Sequence, residues 1–138
     1  MRRCPALKGA APIRLGIDIV AVGRIRRLAR ERAFLDRVFT DVEMERAGTA
    51  ADRAVCLSRA FAVKEACMKA LGTGWADGVG WKEIETTADG PAATCAQLHG
   101  RAKELAGGAE PLVSAANTDE LAAAMAVLVG RRPQRGAP

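Results

Sequence analysis

The stretch that most constrains the fold is "CLSRAFAVKEACMKALGTG", residues 56–74. Helicity is expected from near Asp52 to Leu71, with Gly72 as its stop. An α-helix turns about 100° per residue. With Leu57 at the centre of one face, Ala60, Phe61, Cys67, Met68 and Leu71 fall on the same apolar stripe. Lys64 falls on it too. Glu65 lies on the flank, and Lys69 follows it at i+4, within reach. Two accounts are open. Lys64 is a lysine whose stem packs in a core helix, beside a surface Glu65–Lys69 pair. Alternatively, Glu65 and Lys69 flank a cleft and Lys64 is buried against a partner.

A second anomaly precedes it. "IRLGIDIVAV" (13–22) has the β-branched run of a strand. Leu15, Ile17 and Ile19 take one face; Gly16, Asp18, Val20 and Val22 take the other. Asp18 thus shares a face with apolar residues, where a bare carboxylate is costly. It needs a cation, a donor or the sheet edge.

The remaining elements are shorter. A basic helix is expected at about 23–33, with Ile25 and Leu28 inward. Thr40 reads as an N-cap with Glu43 at the capping-box position. Residues 78–89 alternate like a strand, Gly90-Pro91 reads as a turn, and "AATCAQL" as another strand. "GRAKELAGG" is a short helix with a glycine stop. "PLVSAAN" and "LAAAMAVLVG" form a closing hairpin around residues 118–120. Strands and helices mix without strict alternation, which implies an α+β domain. Its expected extent is 13–130, with 1–12 and 131–138 as flexible tails.

Composition narrows the function. Hydrophobic residues make up 49% of the 138 and charged residues 27%, as in a globular domain. Aromatics are 4% with no Tyr, so the core must be aliphatic. No apolar run is long enough for a membrane span, and no h-region follows the N-terminal arginines. The four cysteines form no CxxC pair, consistent with a reducing cytoplasm. His99, the one histidine, has no convincing Ser or Cys partner for a triad, and there is no P-loop. Residues 1–32 carry nine cations against Asp18 and Glu31. Their partner should be acidic: nucleic acid, an anionic membrane, an acidic protein or a phosphate-rich cofactor. Too few aromatics are present for a base-stacking nucleic-acid binder.

Taken together, "GIDIV", "RVFTDVE" and "LSRAFAVKEACMKALGTG" closely resemble the holo-acyl-carrier-protein synthase family, small single-domain phosphopantetheinyl transferases. The resemblance runs from about Leu15 to Val129. It implies a mostly antiparallel sheet packed against a long central helix. It also implies transfer of the phosphopantetheine arm of coenzyme A to a serine of an apo carrier protein, with release of 3′,5′-ADP. Carried over, Asp18 and Glu65 are ligands of Mg²⁺, a hard ion suited to carboxylates and substrate phosphates. Asp18, Glu65 and Lys69 form the catalytic set, with Lys69 facing phosphate. Lys64, Lys69, Gly72, Thr73, Gly74, Pro91 and Asn117 are the coenzyme A contacts. Arg24, Arg27 and Arg30 would dock the acidic acyl carrier protein, and a cytoplasmic homotrimer with active sites between subunits is implied. Three departures stand out: Ala60 where the family has Arg, Asn117 where it has His, and no Lys between Gly90 and Pro91. They leave a second possibility, a diverged carrier-protein or coenzyme A binding module with little catalysis.

Overall fold

The computed structural model describes residues 12–73, 78–88 and 94–130. Strand β1 (Ile13–Ala21) leads into helices α1 (Val22–Leu28), α2 (Arg32–Val38), α3 (Asp41–Thr49) and α4 (Arg53–Leu71). A 3₁₀ turn (Trp81–Glu83) precedes β2 (Ile84–Ala88) and β3 (Thr94–Leu98). Then come α5 (Gly100–Ala106), β4 (Pro111–Asn117) and β5 (Leu121–Val129). The strands form an antiparallel sheet β1-β5-β4 and a two-stranded antiparallel sheet β2-β3. This is the expected α+β architecture.

Helix α4 organises the domain. It lies on the inner face of the large sheet, where β5 offers Ala122, Ala124, Ala126 and Leu128. Small side chains on the sheet let the helix approach closely. At Gly16 the approach reaches its limit: a Cβ there would collide with the Ala66 carbonyl oxygen and lie 2.8 Å from the Ala70 nitrogen. Glycine removes that clash, and the alanines opposite complete it. The expected single stripe is therefore too narrow a description. α4 is buried around most of its circumference, and only Arg53, Val55, Cys56, Arg59, Glu65 and Lys69 have substantial exposure. Its ends follow the sequence: Asp52 accepts from the Val55 amide, and Gly72 takes the left-handed conformation at φ 71°.

Two sequence-based expectations are corrected. The basic helix at 23–33 is two helices. Arg30 and Glu31 amides bond to carbonyls three residues back, tightening the turn after α1. The redirected α2 sends Phe34 toward Phe39 and Phe61, whose ring stacks on Trp81 at 5.0 Å. The strand expected over 78–89 starts only at Ile84. Before it, the Glu83 carboxylate accepts from the Gly80 amide at 2.6 Å, a local bond that favours a turn over a strand.

Among the described residues, nothing covers the other face of the large sheet. Ile13, Leu15, Ile17 and Ile19 of β1, Leu112 of β4, and Leu121, Met125 and Val129 of β5 are 42–68% exposed. The alternation expected for β1 thus holds, with its isoleucine face outward.

Candidate active site

The two anomalies of the sequence meet. β1 carries Asp18 on the same inner face as Gly16, and the Gly16 contact draws that face onto α4. Lys69 reaches across from α4. Its Nζ donates to Asp18 Oδ1 at 3.0 Å and to the Ile17 carbonyl at 2.9 Å. The Asp18 side chain is 15% exposed and that of Lys69 51%. Glu65, one turn earlier on α4, is half-buried. Burial foremost, and then the nearby Asp18 carboxylate, raise its pKa above the ordinary glutamate value; Lys69 and Arg24 oppose this. Asp18 and Lys69 are in contact, and Glu65 is near enough to feel both charges.

This donor set fits a hard divalent cation. Two carboxylates share a partly desolvated place, and one of them resists ionisation there. Among the described residues, no group of three or more His, Cys, Asp or Glu side chains could hold a metal. A cation here would complete its shell with water and ligand oxygens. Mg²⁺ is held in that manner, by one or two carboxylates plus substrate phosphates.

Lys64 is different, and the expected coenzyme A contact is corrected. Its side chain is fully buried. Its ammonium has three donors, and all three are taken: Glu43 Oε2 at 2.9 Å, the Trp81 carbonyl at 3.0 Å and the Ile84 carbonyl at 2.6 Å. Burial lowers its pKa, which Glu43 counteracts. Lys64 ties α4 to α3 and to the turn before β2. Glu43 completes the network. It closes the expected capping box on Thr40, and its Oε1 accepts from the Thr86 amide and hydroxyl at 2.7 and 2.9 Å. Arg46 binds Thr86 from the other side. The capping-box spacing revealed Glu43 as a cap; its long-range partners carry no local signal.

The other expected contacts are dispersed. Gly72 is exposed at the end of α4, and the Thr73 amide bonds to the Met68 carbonyl at 3.1 Å. Gly74 and Pro91 lie outside the described residues. Arg24 and Arg27 are exposed on α1; Arg30 is exposed but falls in the turn after it. Asn117 ends β4, two strands away from β1. It lines a cavity of about 380 Å³ with Arg46, Arg59, Ala60 and Thr94. Arg59, beside the departure at Ala60, enters this cavity and donates to Thr94 Oγ1 at 3.1 Å. Residues 59 and 60 lie roughly 120–140° around the helix from Glu65. Within one chain, then, the cavity and the Asp18 cluster occupy opposite flanks of α4. The thiol of Cys67 is buried, its pKa pushed up to about 12, so it is no nucleophile.

Known proteins are similar to this chain in sequence and fold. The family profile of the 4′-phosphopantetheinyl transferase superfamily matches residues 14–126. A holo-[acyl-carrier-protein] synthase of Trichlorobacter lovleyi is 41% identical over 93 residues, which cover 66% of this chain and 74% of that protein. Two solved structures superpose closely. The synthase of Bacillus anthracis, in complex with CoA (3′,5′-ADP), gives a TM-score of 0.73 at 26% identity, covering 86% of this chain and 96% of that one. The Chronobacterium ammoniagenes synthase–CoA complex gives 0.74 at 26% identity, covering 88% and 99%. With the profile spanning most of the sequence, the chain belongs to the 4′-phosphopantetheinyl transferase superfamily.

Proposed function

We propose that this protein is a holo-acyl-carrier-protein synthase that moves the phosphopantetheine arm of coenzyme A to a serine of an apo acyl carrier protein. The observation that carries this reading is the convergence of Asp18 and Lys69 from β1 and α4, with Glu65 beside them. In the reaction the serine Oγ forms a bond to the pantetheine-side phosphorus of the pyrophosphate. The bond from that phosphorus to the bridging oxygen breaks, and 3′,5′-ADP leaves with the electron pair. The serine proton passes to a base. Glu65, half-buried near Asp18 and Lys69, is the candidate to accept it, directly or through a water.

Asp18 and Glu65 would hold Mg²⁺, which when bound supplies positive charge to the pyrophosphate oxygens. Lys69, half-exposed on a flexible stem, would add its charge to the developing phosphate anion. Gly72, in the left-handed conformation at the end of α4, would let backbone approach the cofactor. Arg24, Arg27 and Arg30 are exposed, with Arg24 close enough to Glu65 to oppose its raised pKa, a basic surface fit for an acidic carrier protein.

The uncovered apolar face of the large sheet supports self-association, since contiguous exposed apolar surface of this kind marks an interface; that the assembly is a homotrimer is what the family resemblance implies. Such assembly also accounts for the split site. The cavity by Asn117 and Ala60 of one subunit can face the Asp18 cluster of another, although the two are on opposite flanks of α4 within a chain. No helix among the described residues is long and apolar enough to cross a membrane. With its free cysteines Cys56, Cys67 and Cys95, the chain is read as cytoplasmic.

One experiment tests the reading. The protein is incubated with coenzyme A, Mg²⁺ and apo acyl carrier protein, and the carrier is weighed by mass spectrometry. The arm appears on the carrier, and the product is lost with chelator and in Asp18→Ala or Glu65→Ala. In the same assay, Arg24→Glu with Arg27→Glu raises KM for the carrier far more than for coenzyme A. The small Ala60 beside the cavity favours one alternative, a module that binds without transfer. Coenzyme A binding with no modification of any carrier would establish that alternative.

A further inference from the structure

The ammonium of Lys69 is held by two fixed acceptors: the inner carboxylate of Asp18 and the backbone carbonyl of the preceding residue, Ile17. The carbonyl belongs to a paired strand, so it fixes the ammonium beside Asp18. Glu65 lies close enough to feel the same charge. A divalent ion bound to Asp18 would bring two further positive charges against this ammonium. The two cations compete for one carboxylate.

We infer that Lys69 is a surrogate cation, occupying Asp18 until a divalent ion and the phosphates of coenzyme A arrive together and draw it away. This deepens the transferase reading and rests on it. The lysine is well placed for exchange. Its side chain is half in solvent, whereas the carboxylate it holds is largely shielded. The ammonium loses Asp18 when the metal enters, and the coenzyme's phosphates offer it a replacement anion. Metal and coenzyme A therefore bind with positive coupling, each raising the other's affinity by the same factor. Lys64, with all its donors satisfied inside the protein, has no such freedom.

Calorimetric titration of Mg²⁺ into the full chain, without coenzyme A, tests this. Lys69→Met removes the competitor and keeps the length of the side chain. It should bind Mg²⁺ about fivefold or more tightly than wild type, the scale of a partly exposed ion pair. Lys69→Arg keeps a cation and should stay near wild type. Asp18→Asn added to Lys69→Met should erase the gain. Titration repeated with saturating coenzyme A should show a smaller coenzyme-induced gain in Lys69→Met than in wild type. Circular dichroism checks the fold, and Lys69→Gln serves if Lys69→Met does not fold. Equal or weaker Mg²⁺ binding in a folded, uncharged variant overturns the inference, while carrier modification by wild type still upholds the transferase reading. Failure of wild type to modify any carrier would overturn the transferase reading instead.

Discussion

Helix α4 carries two lysine–carboxylate pairs five residues apart, and they are built oppositely. Lys64 and Glu43 are both fully buried, and every donor of the ammonium is spent inside the protein. Lys69 and Asp18 sit at 51% and 15% side-chain exposure beside Glu65, a second carboxylate that burial discourages from ionising. Both pairs have nearly the same N–O separation, 2.9 and 3.0 Å. Distance therefore does not separate a structural pair from a functional one. Saturation does. A closed pair has nothing left to offer a ligand, whereas an open pair keeps acceptors and charge that a substrate can recruit.

The largest effect expected from this contrast is on stability. Lys64→Met leaves Glu43 buried and unpaired, which should cost about 3–5 kcal/mol. Lys69→Met, removing a half-exposed partner, should cost under about 1 kcal/mol. Urea unfolding at neutral pH compares them directly. The double change Glu43→Gln with Lys64→Met should recover part of the larger loss, because it removes both charges. If Lys64→Met costs no more than Lys69→Met, burial and saturation do not distinguish the pairs.

The contact that sets up the open pair can be perturbed next. In Gly16→Ala the new methyl group meets the Ala66 carbonyl oxygen, and backbone cannot swing aside as a side chain can. Overpacking of this kind costs about 1–3 kcal/mol. β1 should move off α4, carrying Asp18 away from Glu65 and Lys69. Carrier modification should fall by more than tenfold in a folded protein, while the Lys64–Glu43 pair, on another side of the helix, holds α3 in place. Unchanged transfer by Gly16→Ala would show that Asp18 does not depend on this approach.

Much of this contrast was legible in the sequence, but unevenly. Local chemistry announced the ends of α4, the capping box on α3, the glycine stop of α5 and the closing hairpin, because each depends on residues close in the chain. The placement of Asp18 on an inward face followed from strand alternation. The family pattern implied Asp18 beside Glu65 and Lys69 toward phosphate; the direct Asp18–Lys69 pair, across 51 residues, appears only in the structure. Lys64 was misread as a coenzyme A contact because its partners are Glu43, the Trp81 carbonyl in the turn before β2 and the Ile84 carbonyl at the start of β2. No spacing in the sequence reveals such partners. The breaks between α1 and α2 and before β2 were missed too, although local bonds mark both: long-range packing adds to them, and the Glu83–Gly80 spacing was not read as a turn. Phe34 is directed by Phe61 and Phe39, and the turn at Trp81 is tied back to Lys64. Ala60 and Asn117, read separately as departures from the family, turn out to line one cavity.

The smallest expected effect has the opposite sign at the two sites. Glu65 has its pKa raised in the folded protein, by burial and then by Asp18. Below the ordinary glutamate range it is protonated both folded and unfolded, and no stability is lost. As pH rises through that range the unfolded chain gives up this proton before the folded one does. Stability then falls until the folded group ionises as well, and the cost persists at neutral pH. Glu65→Gln removes the ionisation, so its Tm at pH 7 should lie above that of wild type, with the gap closing near pH 4. Glu43→Gln, which weakens a buried charged pair, should lower Tm at pH 7. Mg²⁺ should raise the Tm of wild type and leave that of Glu65→Gln nearly unchanged, because only the wild-type pair gains from a bound cation. Scanning calorimetry of wild type and the two variants at pH 4 and 7 reads all of this. A lower Tm for Glu65→Gln at pH 7 would mean that Lys69 and Arg24 stabilise the Glu65 anion more than burial and Asp18 disfavour it. Glu65 would then belong with the closed pair, as a residue that holds the fold rather than one held ready for a ligand.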